Sequence, residues 1–184
     1  MDLKSLRLDC AIKQKKGLHF ILASIIVWGA ILIIHLTSLP ILTKNLFTFF
    51  AIGPLMPLAF FISKIIKVDF QNKGNPLMNL GVIFSVNQIL YLLIAMWAFN
   101  ATPDKMLMII AIIFGAHLLP YSWLYHSKSY IVSAIAIPIV SLVVGLNFEP
   151  YVLAGVMVLF EILFSISLMT ENKSLGHIEY NMSS

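Results

Sequence analysis

MLMIIAIIFGAHLLPYSWLY, residues 106–125, is the stretch whose reading decides the fold. About 20 apolar residues match the hydrocarbon thickness of a bilayer at a rise of about 1.5 Å per residue. Yet His117 lies near the middle of this run, and Pro120 follows within a turn. Pro120 has no N–H to donate, so the carbonyl of Ala116 loses its helical partner beside that histidine. Two polar groups are thereby placed deep in a dry segment.

The rest of the chain repeats this character. Of 184 residues, 60% are hydrophobic and 11% are charged, against about 25% charged in a typical soluble domain. One small core could not hide that much apolar surface, so lipid must cover it. The net charge of +4 comes from residues lying between apolar runs, not from a basic patch on a soluble module, which excludes a nucleic-acid partner. The single Cys10 excludes an internal disulfide, and its neighbours offer no metal-ligand spacing. No lipidation motif is present, and no cofactor is implied.

Residues 1–17 form a basic N-terminal segment in which Leu3, Leu6 and Cys10 share a face suited to a short interfacial helix. The apolar run 18–39 that follows exceeds the roughly 7–15 residues of a signal-peptide core and reads as a first span. Further spans are expected over 41–63, 77–99, 106–125, 130–146 and 151–170, with a polar, loose tail over 171–184. Asp104 is placed to cap span four, and Pro150 to open span six. Pro54 and Pro57 in span two, Pro120 in span four and Pro138 in span five are expected to break or hinge their helices. The expected fold is therefore all-α, an integral membrane bundle of six transmembrane helices.

The charges test that count. Alternating sides puts ten of the twelve basic residues on one face, leaving Lys44 and Lys105 on the other. Such an asymmetry over short loops is the positive-inside pattern for a multi-pass protein of the cell membrane with both termini cytoplasmic. An odd span count would spoil it. Three spans plus three would give inverted halves. Each half carries a mid-depth proline in its middle helix and a carboxamide or carboxylate in its last.

The segments GPLMPLAFFISKIIKVDFQNKGNPL and FGAHLLPYSWLYHSKSY resemble a domain-of-unknown-function family of small, uncharacterised bacterial membrane proteins. Gly53, Pro57, Asn75-Pro76-Leu77, Gly115, Leu119-Pro120, Leu124-Tyr125 and Tyr130 carry that resemblance. It implies several membrane spans and no assigned activity.

Polar residues at depth are the functional candidates. Glu161, at the centre of span six, is the foremost. A charged carboxylate there costs about 2.5–3.5 kcal/mol on insertion scales, so it faces the bundle interior, is protonated, or has a partner. His117 lies at comparable depth with Tyr121 one turn on, and Asn87-Gln88 sit mid-span on span three. The expected substrate- or proton-binding site joins Glu161, His117, Asn87, Gln88 and Tyr121 in one midplane cluster. Ser24, Trp28 and His35 form a stripe on span one that reads as packing. His19 and His126 lie at the cytoplasmic edge.

These features fit a small transporter or permease, coupled to protons through Glu161. The alternative is a non-transporting sensor or scaffold subunit, acting through homo-oligomer contacts or a partner membrane protein in the lipid bilayer. An intramembrane enzyme lacks its parts, since no GxSG, HExxH or carboxylate pair at one depth is present. A polar cavity reaching Glu161 would favour transport. A dry bundle with an exposed apolar face would favour the subunit.

Overall fold

The computed structural model describes residues 2–69 and 74–183, with side chains described through Leu175. All regular structure among the described residues is helical. Six stretches are long and apolar enough to cross a membrane: Lys15–Leu36, Ile41–Ile65, Met78–Ala101, Pro103–Leu124, Lys128–Asn147 and Pro150–Leu175. Helices satisfy their own backbone groups, which lipid cannot do, so apolar runs of this length have no other stable form in a bilayer.

Span one is α2, Leu18–Leu36. Span two is divided into α3, Ile41–Ile52, and α4, Leu55–Ile65. The break falls at Gly53-Pro54, where proline cannot donate to the Phe50 carbonyl. Pro57, expected to share that break, sits instead in the first turn of α4, where a missing N–H loses no helical bond. Span three is α5, Met78–Ala101. Span four is interrupted at His117, between α6, Met106–Ala116, and α7, Leu118–Leu124. That interruption follows from the amide missing at Pro120.

Span five corrects an expectation. The helix α8, Lys128–Asn147, runs through Pro138 without a break. Held between neighbours, α8 absorbs the lost hydrogen bond, and the proline ring becomes a packing surface. A Cβ placed on Gly115 of α6 would lie 2.5 Å from Pro138 Cδ, so the two helices touch through the absence of a side chain. Span six opens α9, Pro150–Ser183, at the proline. The longest interfaces run between α2 and α9 and between α6 and α8. By contrast α5 buries only Ala95 and Ala98.

The turns show local chemistry. The Ser127 side chain accepts from the Tyr130 amide and caps α8. Asp104 does not cap α6, because a 3-10 turn at Pro103–Lys105 intervenes and no side-chain cap bond forms. The N-terminal segment folds as α1, Leu3–Lys13, capped by Asp2. Lys15, Lys16 and Gly17 then take left-handed backbone angles, with φ of 47°, 51° and 70°. This turn tucks α1 against the end of the bundle rather than leaving it at the lipid surface. There Cys10 and Ala11 are buried, Arg7 donates to the Trp123 carbonyl, and Asn75 Nδ2 donates to the Leu6 carbonyl at 2.8 Å.

The segment expected to be a loose tail is also helical, because Glu171 and Asn172 are anchored to the turn at Lys15 and Lys16. Part of the loop between spans two and three, residues 70–73, lies outside the described residues. The halves of the expected repeat differ at these positions. Span two breaks and span five does not, and Glu161 is buried while Asn87 is exposed.

Six crossings return the chain to the side on which it started. The basic residues sort accordingly: Arg7, Lys15, Lys16 and Lys128 gather at one end of the bundle with α1. Lys44 and Lys105 lie at the other, donating to the carbonyls of His35 and Gly145 that end α2 and α8. Activity reporters fused after Lys44 and after Lys73 should therefore register opposite sides of the membrane. Matching signals from the two fusions would defeat the span count.

Candidate functional site

Glu161 is completely buried on the face of α9 that packs along α2. Its Oε2 is hydrogen-bonded with the hydroxyl of Ser24. That hydroxyl also lies 2.8 Å from the Ile21 carbonyl of its own turn. A serine carries one proton, and a carbonyl can only accept. When Ser24 donates to Ile21, the proton in the Ser24–Glu161 contact has to come from the carboxyl. When the carboxyl is ionised, Ser24 must turn away from Ile21 to donate to it. The protonation of Glu161 is thus tied to which acceptor Ser24 serves. Its other oxygen, Oε1, has no partner among the described residues, and neither does Ser165 Oγ one turn along α9. No salt bridge reaches Glu161 among the described residues.

The antiparallel register of α2 and α9 explains the meeting. Lys16 Nζ lies 2.6 Å from Glu171 Oε2, and counting inward from that contact brings Ser24 and Glu161 to similar depths, about 12–15 Å at 1.5 Å per residue. Ser24 was legible only as part of a packing stripe. Its sole signal is a lone hydroxyl in an otherwise aliphatic turn.

The expected midplane cluster divides in two. His117 does not face Glu161; its Nδ1 donates to the Phe114 carbonyl one turn back. The imidazole meets Phe114 and Tyr121 edge to face, at centroid distances of 5.3 and 5.9 Å. Tyr121 does reach span three. Its hydroxyl and that of Ser85 lie 2.8 Å apart, and both approach the Gly81 carbonyl, at 3.0 and 3.1 Å. Ser85 therefore marks the side of α5 that meets Tyr121 of α7. Asn87 is two residues on, about 200° around the helix, and is exposed; Gln88 is half-buried. Neither amide joins Glu161, because the rotation of α5 is set by the contact of Gly81 and Ser85 with Tyr121.

Each end of the bundle is built differently. At the end with α1, Glu171 of α9 gathers four donors: Lys16 Nζ at 2.6 Å, Ser127 Oγ at 2.7 Å, and Ser129 through its amide at 2.9 Å and its hydroxyl at 2.7 Å. The Lys16 carbonyl accepts from Tyr130 at 2.9 Å, and Tyr125 donates to Gln14 Oε1 at 2.8 Å. These bonds make a polar cap at this end. The opposite end holds a cavity of about 360 Å³ bordered by His35, Lys44, Asp104, Lys105, Glu149 and Tyr151. Glu161 does not line it. His35, buried beneath, is bonded to Thr48 at 3.1 Å. Ser24 and Glu161 lie about 15 Å further along the same two helices. No group of three or more His, Cys, Asp or Glu side chains suited to a metal ion occurs among the described residues.

A family model matches residues 3–171. The chain belongs to DUF7010, a family of unknown function. No curated protein and no solved structure matches it. The matched length runs from the start of α1 to Glu171, so in this DUF7010 chain it takes in both the Ser24–Glu161 contact and the cap at Lys16.

Proposed function

We propose that this DUF7010 protein is a small proton-coupled transporter of the cell membrane, with the end carrying α1 and both termini in the cytoplasm. The observation that carries this reading is Glu161, a fully buried carboxyl with no cation beside it among the described residues. A charge in that setting goes uncompensated, so the protonated carboxyl is the resting form. Releasing the proton requires Ser24 to exchange acceptors, which couples the proton to a contact between α2 and α9. These two helices also line the cavity at the other end, which stops about 15 Å short of the carboxyl. In this reading the cavity is an outward vestibule and the buried carboxyl an occluded proton site. The protein performs no covalent chemistry in this reading.

The subunit reading is favoured by two observations, the exposed apolar face of α5 and a cavity that does not reach Glu161. Proteoliposomes holding an internal pH indicator separate the two. Wild-type protein should dissipate an imposed pH gradient faster than empty vesicles in the presence of its solute, screened by class. Glu161→Gln should fall to the empty-vesicle rate yet remain folded, since its amide still donates to Ser24. Equal flux in Glu161→Gln and wild type would remove Glu161 from the mechanism. A wild-type rate equal to that of empty vesicles across the solute classes would leave the subunit reading in place.

A further inference from the structure

Span three leaves a polar group where lipid cannot satisfy it. Of the residues on α5, Ile83, Asn87, Leu90, Tyr91 and Ile94 are all exposed, and at about 100° per residue they fall within one stripe roughly 120° wide. Around Asn87 the stripe lies on the side turned away from Ser85 and Tyr121, and it ends at Ile94, since Ala98 one turn on is buried. Asn87 sits about 13 Å from the nearer helix end, Met78, within the hydrocarbon. Its carboxamide has no hydrogen bond among the described residues. Acyl chains offer neither donor nor acceptor, so an amide at this depth is favoured to find a partner on another helix.

We propose that this stripe is the interface of a homodimer, with the Asn87 carboxamides of two copies hydrogen-bonded to each other. The occupant is chosen by symmetry and chemistry. All copies insert in one direction, so a two-fold axis relating them runs along the membrane normal and brings each residue level with its own copy. A carboxamide carries both donors and acceptors and is therefore complementary to itself across that axis. The flanking Ile83, Leu90 and Ile94 supply apolar contact above and below. A different protein would need a polar group at the same depth. The inference does not depend on proton coupling and holds for either reading of the function.

The test is oxidative cross-linking of the full chain in membranes, with the native Cys10 replaced by alanine. Single cysteines at positions 83, 90 and 94 should give a disulfide-linked species of twice the monomer mass. Cysteines at 89 and 96, exposed but on the other side of α5, should not. Asn87→Leu should weaken dimerisation roughly tenfold, the sum expected from two interhelical amide bonds, while Asn87→Gln should retain it. Since Asn87 makes no bond within the protomer, the leucine variant should melt as a monomer at the wild-type temperature, which separates lost pairing from lost folding. Cross-links equally strong at 89 and 96, none on the stripe, an adduct of some other mass, or dimerisation unchanged in Asn87→Leu would each overturn the proposal.

Discussion

Gly115→Leu is expected to destabilise the bundle by about 3 kcal/mol or more, at the upper end of overpacking costs. A Cβ at this position would lie 2.5 Å from Pro138 Cδ, 2.7 Å from Ile137 Cγ2 and 2.8 Å from Ile137 Cβ. None of these atoms can swing aside. The proline ring is covalently tied to its backbone, and a β-branched side chain in a helix is held near one rotamer. The two helices would have to separate along one of the longest interfaces in the molecule. Gly145 is a second tight position on the same interface: a Cβ there would lie 2.5 Å from Met108 Cγ, which can rotate away, and 2.6 Å from Met108 Cβ, which cannot. Gly145→Ala should therefore also be destabilising, since the two helices must shift to relieve that contact. Gly29 has nothing within 4 Å, so Gly29→Ala should be neutral or stabilising by up to about 1 kcal/mol. Thermal unfolding in detergent micelles ranks the three variants, and a Gly115→Leu protein melting alongside Gly29→Ala would refute the close approach of α6 and α8.

Glu171→Ala should cost about 3 kcal/mol, because it strands the Lys16 ammonium, whose side chain is only 6% exposed. Removing one partner of a buried pair costs about 3–5 kcal/mol; Glu171 is 22% exposed, which places the expectation at the low end. The same change deprives Ser127 and Ser129 of their acceptor. Two non-glycine residues, Lys15 and Lys16, hold left-handed angles here, each costing on the order of 1–3 kcal/mol that surrounding bonds must offset. Loss of Glu171 should accordingly free the turn before it unfolds the spans, so protease cleavage near residues 13–17 should accelerate. Lys16→Met combined with Glu171→Leu should recover most of the lost stability, since an apolar pair leaves no charge buried. If the double variant is no better than Glu171→Ala, the stranded lysine is not the source of the loss.

What the sequence determined by itself was whatever a single helix decides alone. The six spans follow from apolar length, since in lipid each segment must satisfy its own backbone. Pro54 and Pro120 announced their interruptions because a missing N–H acts within one turn. The depth of Glu161 and His117 could be counted along their helices, and the middle segments already carried the family resemblance. The tertiary structure decided which way each helix is turned. Glu161 met Ser24 instead of His117 because α2, and not α6, lies along its face. Asn87 turned outward because Ser85, two residues earlier, docks on Tyr121. Pro138 did not break α8, which stays helical through it with its ring packed against Gly115 of α6. Depth is a property of position along one chain, whereas rotation is a compromise among all the neighbours a helix packs against, and a span that is apolar nearly all round carries little in its sequence to mark the face it will bury.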